Sequence, residues 1–163
     1  MKRHEVSHEY LKSILHYNPT TGFFTWVVHR QHNSLAGSRA GCVNKSDGRR
    51  YIKVHCVRYA ESRLAWFYMN GRWPRFHVDH RDGDKQNNKW ENLRQASVTN
   101  NMGNSRPRTA LKGVTRVRTG KYTAQIQHSM KKIHLGTFDT PEEAHAAYAN
   151  AAKKLYGEFA RCV

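Results

Sequence analysis

The spacing of apolar positions changes several times along the chain, and each change predicts an element. In "EYLKSILHY" Tyr10, Leu11, Ile14 and Leu15 fall on one helical face, with Ser7 placed to cap it. "NPTTG" is a turn cluster and "FFTWVV" is rich in strand formers. "SDGRRYIKVHCV" reads as a turn feeding one strand, in which Ile52, Val54 and Cys56 alternate with Lys53, His55 and Val57. "AESRLAWFYMNG" suits a helix packing through Leu64, Ala65, Phe67 and Tyr68 and ending at Asn70-Gly71.

The pattern then thins. "FHVDH" predicts a short strand, "RDGD" a turn, and "WENLRQAS" a second extended piece anchored by Leu93. Ser97 and Thr99 are both suited to cap a helix through "SVTNNMGN". "SRPRTALK" is polar and basic and contains Pro107, which places a linker at 106–111. Beyond it, "GVTRVRTGKYTAQIQHSMKKIHLGTFDT" offers three short strands, turning at Thr119-Gly120 and around Ser129-Met130. The last helix carries the most complete signals. Thr140 caps it, Pro141 takes the first helical position, Glu143 completes a capping box and Gly157 stops it. Alanines dominate its apolar face, which lets it lie close against a sheet. The fold class these elements define is α+β, with a small three-stranded antiparallel sheet packed on one helix at the C-terminal end.

Composition narrows the partners. The 163 residues carry 28 Lys and Arg against 12 Asp and Glu, a formal charge of +16 shared by both halves. Such an excess points to a polyanion, because neutralising phosphates releases condensed counterions. No apolar run of spanning length and no basic amphipathic helix speaks for a membrane, and "MKRHEVSHEYLKSIL" lacks a secretory apolar core. Cys42, Cys56 and Cys162 are odd in number and far apart, which suits a reducing cytoplasm better than a disulfide framework or thiolate zinc site. Arg39, Arg49, Arg50, Arg58 and Arg63 are expected as collective phosphate contacts, and the four tryptophans as core.

The chemistry gathers at residues 78–104, "VDHRDGDKQNNKWENLRQASVTNNMGN", where six asparagines follow Asp79-His80. Phosphodiester hydrolysis needs an activated water and charge stabilisation, and a hard cation on oxygen ligands supplies the second. Asp79 is a suitable carboxylate and an asparagine carbonyl a suitable neutral ligand. His80 is a suitable general base, since an unperturbed imidazole titrates near pH 6.5 and is largely neutral at pH 7. Strand neighbours face opposite ways, so Asp79 and His80 address one phosphate only where the strand ends or twists, and "RDGD" follows at once. Taken alone, an Asp-His pair is better read as a satisfied structural histidine.

The ordered set "VDH…DGD…NN…ENLR…S…NN…N" resembles the HNH endonuclease family, and most of all its phage and homing branch. "RYAESRLAWFYMNGRWP" resembles the segment preceding the motif in those phage proteins. The resemblance implies a ββα-metal site. Asp79 would be a metal ligand on the first strand and His80 the water-activating base. Asn92, twelve residues after His80, would fix the backbone around it, and Asn101 on the helix would be the second metal ligand. Asn87 and Asn88 are read as loop formers through Asx turns. Bacteriocin-type members place histidines on that helix, whereas here Asn100, Asn101 and Asn104 stand there. Oxygen ligands imply one Mg²⁺ or Mn²⁺ per site rather than zinc. Many phage relatives also carry His where this chain has Ser62.

Residues 112–160 resemble an ERF-type (Apetala-two) DNA-binding domain, on the pieces "KGV", "LGTFDTPEEA" and "AAKKLYGEFA". The resemblance implies a three-stranded sheet in the major groove with the helix behind it. Arg116, Arg118, Lys121, Gln125, Gln127, Lys132 and His134 are then the candidate DNA contacts, alternation deciding which reach bases. The arginines and tryptophans of plant members are not kept.

Together these readings predict four parts: an N-terminal α+β region at 1–75, an HNH motif at 76–105, the linker at 106–111 and an ERF-type domain at 112–163. The expected function is a site-directed, metal-dependent nuclease acting on duplex DNA in the cytoplasm. One site per chain gives a nick, and double-strand cutting would need a homodimer or rebinding. The competing reading is a DNA-binding regulator with an inactive HNH remnant. An RNA-binding role fits the sheet less well, because A-form major grooves are too narrow for side-chain readout.

Overall fold

The computed structural model describes residues 6–29, 35–104 and 111–162, so the expected linker lies, but for its last residue, outside the described residues. The chain divides into two compact units, Met1–Gln95 and Ala96–Val163. Helices and small antiparallel sheets mix in both, which makes the fold α+β. None of the described helices is long and apolar enough to cross a membrane.

The first unit opens with α1 (His8–Ile14), whose Ser7 hydroxyl accepts the Tyr10 amide at 3.2 Å. Leu15 fits the helical stripe by spacing but leaves it, starting β1 (Leu15–Asn18), which pairs antiparallel with β2 (Phe23–Trp26). β3 (Cys42–Val43), β4 (Arg50–Val54) and β5 (Val57–Ala60) form an antiparallel sheet. Here the expected single strand through Cys56 is corrected to a hairpin. His55 and Cys56 make its two-residue turn with φ of 46° and 62°, and Cys56 is exposed rather than in the inward series. That left-handed backbone is the one a tight hairpin requires. It is usually supplied by Asn-Gly, so "HC" gave no turn signal.

α2 (Glu61–Asn70) follows β5 directly and ends at Gly71, which takes φ 69°. Leu11, Phe24, Ile52, Val54 and Leu64 form the sealed centre of this unit. Trp26 is buried there, and Trp73 stacks on Phe67 at 4.3 Å, as expected of core tryptophans. β6 (His77–His80) then leads through residues 81–89 and a 3₁₀ turn (Trp90–Asn92) to β7 (Leu93–Ala96), with which it forms a two-stranded sheet. Leu93 is buried in the core.

In the second unit, α3 (Val98–Gly103) begins at Ser97, whose hydroxyl accepts the Asn100 amide at 3.2 Å. β8 (Val114–Arg116), β9 (Tyr122–His128) and β10 (Lys131–Phe138) form an antiparallel sheet in the order β10-β9-β8. Behind it lies α4 (Pro141–Tyr156) with its capping box in place. Ile126 packs against Tyr148, Ala152 and Tyr156, and Ala124 meets Ala144. Close approach is enforced at Gly113 (φ 77°), where a Cβ would lie 2.0 Å from the Tyr148 ring. That burial pushes the Tyr148 hydroxyl up to about 12.

Candidate active site

β6 brings Asp79 and His80 to its C-terminal end, and both are buried. As alternation requires, they meet different partners. Asp79 Oδ2 accepts from Arg94 Nε of β7 at 3.1 Å, an ion pair with both side chains under a tenth exposed. His80 Nε2 lies 3.0 Å from Asn88 Oδ1. The strand stops there because the chain turns: Gly83 takes φ 73°, and its amide donates to the His80 carbonyl at 2.9 Å.

Asn92 closes the turn from the far side. Its Oδ1 accepts the Asp82 amide at 3.1 Å, while Nδ2 donates to Asp82 Oδ1 at 3.0 Å and to the Asn87 carbonyl at 2.7 Å. Its own carbonyl accepts the Arg81 amide at 2.9 Å. Asp82 in turn accepts from Asn87 Nδ2 at 2.6 Å and from the Asp84 amide at 2.8 Å. Burial pushes the Asp82 carboxyl up, but hydrogen bonds from Asn87, Asp84 and Asn92 and the nearby His80 pull it down further, so it sits below its ordinary value.

Asn88, read from sequence as a loop former, instead lies at the centre of the buried polar group and is 1% exposed. Its Nδ2 donates to Glu61 Oε2 at 2.7 Å, and its carbonyl accepts the Tyr17 hydroxyl at 2.6 Å. Burial of that hydroxyl, and the Glu61 charge, push the Tyr17 pKa up. Glu61 heads α2 with no exposed surface. Burial pushes its carboxyl up, opposed by Arg39 Nη2 at 3.4 Å and Arg50 Nε at 4.0 Å from the same oxygen. Arg39 and Arg50, expected at phosphates, thus serve a buried carboxylate.

Of the residues the sequence singled out, Asp79, His80 and Asn92 come together in this turn and hairpin, while Asn101 lies exposed on α3 in the second unit. Sequence reading missed Glu61, Arg94, Tyr17 and the role of Asn88. Arg94 had a signal, because it stands two residues after Asn92 on a strand that pairs with Asp79's. Glu61 had none, since an acidic residue in a first helical turn is ordinary.

On the C-terminal sheet the register sorts the DNA-contact candidates. Ala124 and Ile126 face α4, so Gln125 and Gln127 face away, opposite His134 and Lys132 of β10. Arg116 pairs with Tyr122 two residues after buried Val114, which places it on the helix side, although exposed. Arg118 is exposed in the following turn, and Lys121 is paired with Asp139 at 2.9 Å.

Part of this chain is similar to HNH endonucleases, and its C-terminal part to proteins that carry an ERF-type domain. Residues 59–102 match the family model for HNH endonuclease. The uncharacterized HNH endonuclease L560 of Acanthamoeba polyphaga mimivirus is 33% identical over 84 residues, 52% of this chain and 45% of that protein. Dehydration-responsive element-binding protein 2D of Arabidopsis thaliana is 48% identical over 48 residues, 28% of this chain and 23% of that protein. Dehydration-responsive element-binding protein 2A of Arabidopsis thaliana is 39% identical over 61 residues, 36% of this chain and 18% of that protein. The chain spans less than half the length of each of these relatives.

Proposed function

We propose that this protein is a metal-dependent DNA endonuclease that nicks duplex DNA near a site recognised by its C-terminal sheet. The observation that carries this reading is the buried, hydrogen-bonded His80 beside Asp79, within the segment that matches HNH endonucleases.

The donors suit a hard cation. Asp79 would contribute a carboxylate and, by the family resemblance, Asn101 an amide oxygen. That donor set fits Mg²⁺ or Mn²⁺. When bound, such an ion neutralises charge at the scissile phosphate and eases departure of the leaving oxygen.

The chain's own residues do the rest. Asn88 Oδ1 is an acceptor, so the His80 nitrogen facing it, Nε2, carries the proton, and the basic lone pair is on Nδ1. His80 takes one proton from a water whose oxygen bonds to phosphorus as the bond to the 3′-oxygen breaks. The products are a 5′-phosphate and, after proton uptake from solvent, a 3′-hydroxyl. Asn92 holds the turn that follows His80 against β7. Gln125, Gln127, Lys132 and His134 present one face of the sheet to the major groove, the glutamines suited to adenine edges and Lys132 to phosphate or guanine.

The test is supercoiled plasmid and host genomic DNA incubated with Mg²⁺, Mn²⁺ or EDTA, beside Asp79→Ala and His80→Ala. Metal-dependent open circle is expected, with His80→Ala about 10²- to 10⁴-fold slower while DNA affinity holds. Linear product would indicate paired sites. Binding without cleavage in any metal would make the protein a regulator carrying an inert HNH domain.

A further inference from the structure

We propose that Glu61 and Asn88 are positioning residues for the general base, a buried carboxylate–amide pair that sets the orientation and tautomer of His80. The proposal rests on the nuclease reading for its purpose but on geometry for its content.

Glu61 Oε2 faces the Arg39 and Arg50 guanidinium groups and so serves as an acceptor, which makes the Asn88 atom 2.7 Å away its Nδ2. The amide is planar, and with Nδ2 committed its oxygen is turned to His80 Nε2 at 3.0 Å. A carbonyl oxygen requires a donor, so the proton stands on Nε2. Every degree of freedom of Asn88 is restrained. Its carbonyl is held by Tyr17, its side chain spans Glu61 and His80, and Gly22 packs so closely that a Cβ would lie 2.3 Å from the Asn88 carbonyl carbon. Two residues of the N-terminal half of the chain, Tyr17 and Glu61, therefore determine what an imidazole near its middle can do.

The carboxylate also acts through the amide. A negative charge on the Nδ2 side pushes electron density toward Oδ1, which strengthens the bond to Nε2–H. A purely structural counter-ion for Arg39 and Arg50 would need neither Asn88 nor this alignment. Complete burial of Glu61 with two guanidinium groups on the same oxygen is a costly arrangement for a counter-ion alone.

Two measurements on the full chain test this. The first is the imidazole ¹⁵N–¹H spectrum of the metal-free wild type. His80 is expected in the Nε2–H form with that proton protected from exchange, and an Nδ1–H form overturns the proposal. The second is single-turnover nicking with Mg²⁺ by Glu61→Gln, which keeps an acceptor for Asn88 but removes the charge. The cleavage rate is expected to fall about 10-fold, short of the roughly 10²- to 10⁴-fold expected on losing the base itself, while DNA affinity stays within about twofold. An unchanged rate removes Glu61 from the assignment. If Glu61→Gln is misfolded by circular dichroism, Asn88→Ala takes its place, and retained protection of the His80 proton there overturns the proposal. A wild type that cuts nothing overturns the nuclease reading instead, and the spectrum still decides the geometry.

Discussion

Gly22 stands against the backbone of Asn88, so close that a Cβ on it would lie 2.3 Å from the Asn88 carbonyl carbon and 2.4 Å from the Lys89 nitrogen. Its φ of 76° makes any L side chain strained there as well. Gly48 has almost the same φ, 73°, but a methyl added to it would meet nothing within 4 Å. Comparing the two separates backbone strain from steric displacement. Gly48→Ala is expected to cost about 1 kcal/mol and Gly22→Ala about 3 kcal/mol, because only the second must also move buried backbone. Urea unfolding measures both, and equal costs would mean the Gly22 turn yields freely. The nicking rate of Gly22→Ala should fall too, since Asn88 moves with it.

Acid should loosen the turn that Asp82 and Asn92 close. The Asp82 carboxyl lies below its ordinary value in the folded state, against about 3.9 when unfolded. A depressed carboxyl contributes stability above its unfolded pKa, and that stability is lost as pH falls through the folded value. The urea midpoint of the wild type is therefore expected to drop, as pH falls below about 5, more steeply than that of Asp82→Asn. Parallel slopes would show that these hydrogen bonds do not hold the Asp82 carboxyl lower in the folded state than in the unfolded one.

The cap of α4 allows a simpler measurement. The Thr140 hydroxyl accepts the Glu143 amide at 3.3 Å, and Glu143 Oε2 accepts the Thr140 amide at 3.4 Å. Thr140→Ala is expected to destabilise the second unit by about 1 kcal/mol. The thermal midpoint reads this, and Thr140→Ser should restore most of it.

How much of this was legible in the sequence follows from which forces act locally. The α4 cap and the C-terminal strands were readable because capping and turn chemistry lie within a few residues of one another. The His55-Cys56 turn was not, because its left-handed backbone is imposed by pairing of Arg50–Val54 with Val57–Ala60 rather than by its own side chains. At the candidate site, Asp79, His80 and Asn92 were legible as a spaced motif. The Glu61–Asn88 link joins residues 27 apart in the chain through burial, and burial of a carboxylate has no local signature. Arg39 and Arg50 were misread for the same reason: a basic residue shows its sign in the sequence, but not which anion it meets.

The register of the C-terminal sheet yields the last prediction. Gln127 pairs with Lys132 and Gln125 with His134 on the face turned from α4, whereas Arg116 lies on the helix side. If that face enters the groove, Gln127→Ala should relax preference at one base pair by about 1–3 kcal/mol. Lys132→Ala should weaken binding and lower the slope of log affinity against log salt by about 1 if it meets a phosphate. Arg116→Ala should leave the sequence preference as it was. Binding-site selection followed by salt titration of the three variants measures all of this. A change of preference in Arg116→Ala with none in Gln127→Ala would mean that the other face of the sheet, or its β8 edge, reads the DNA.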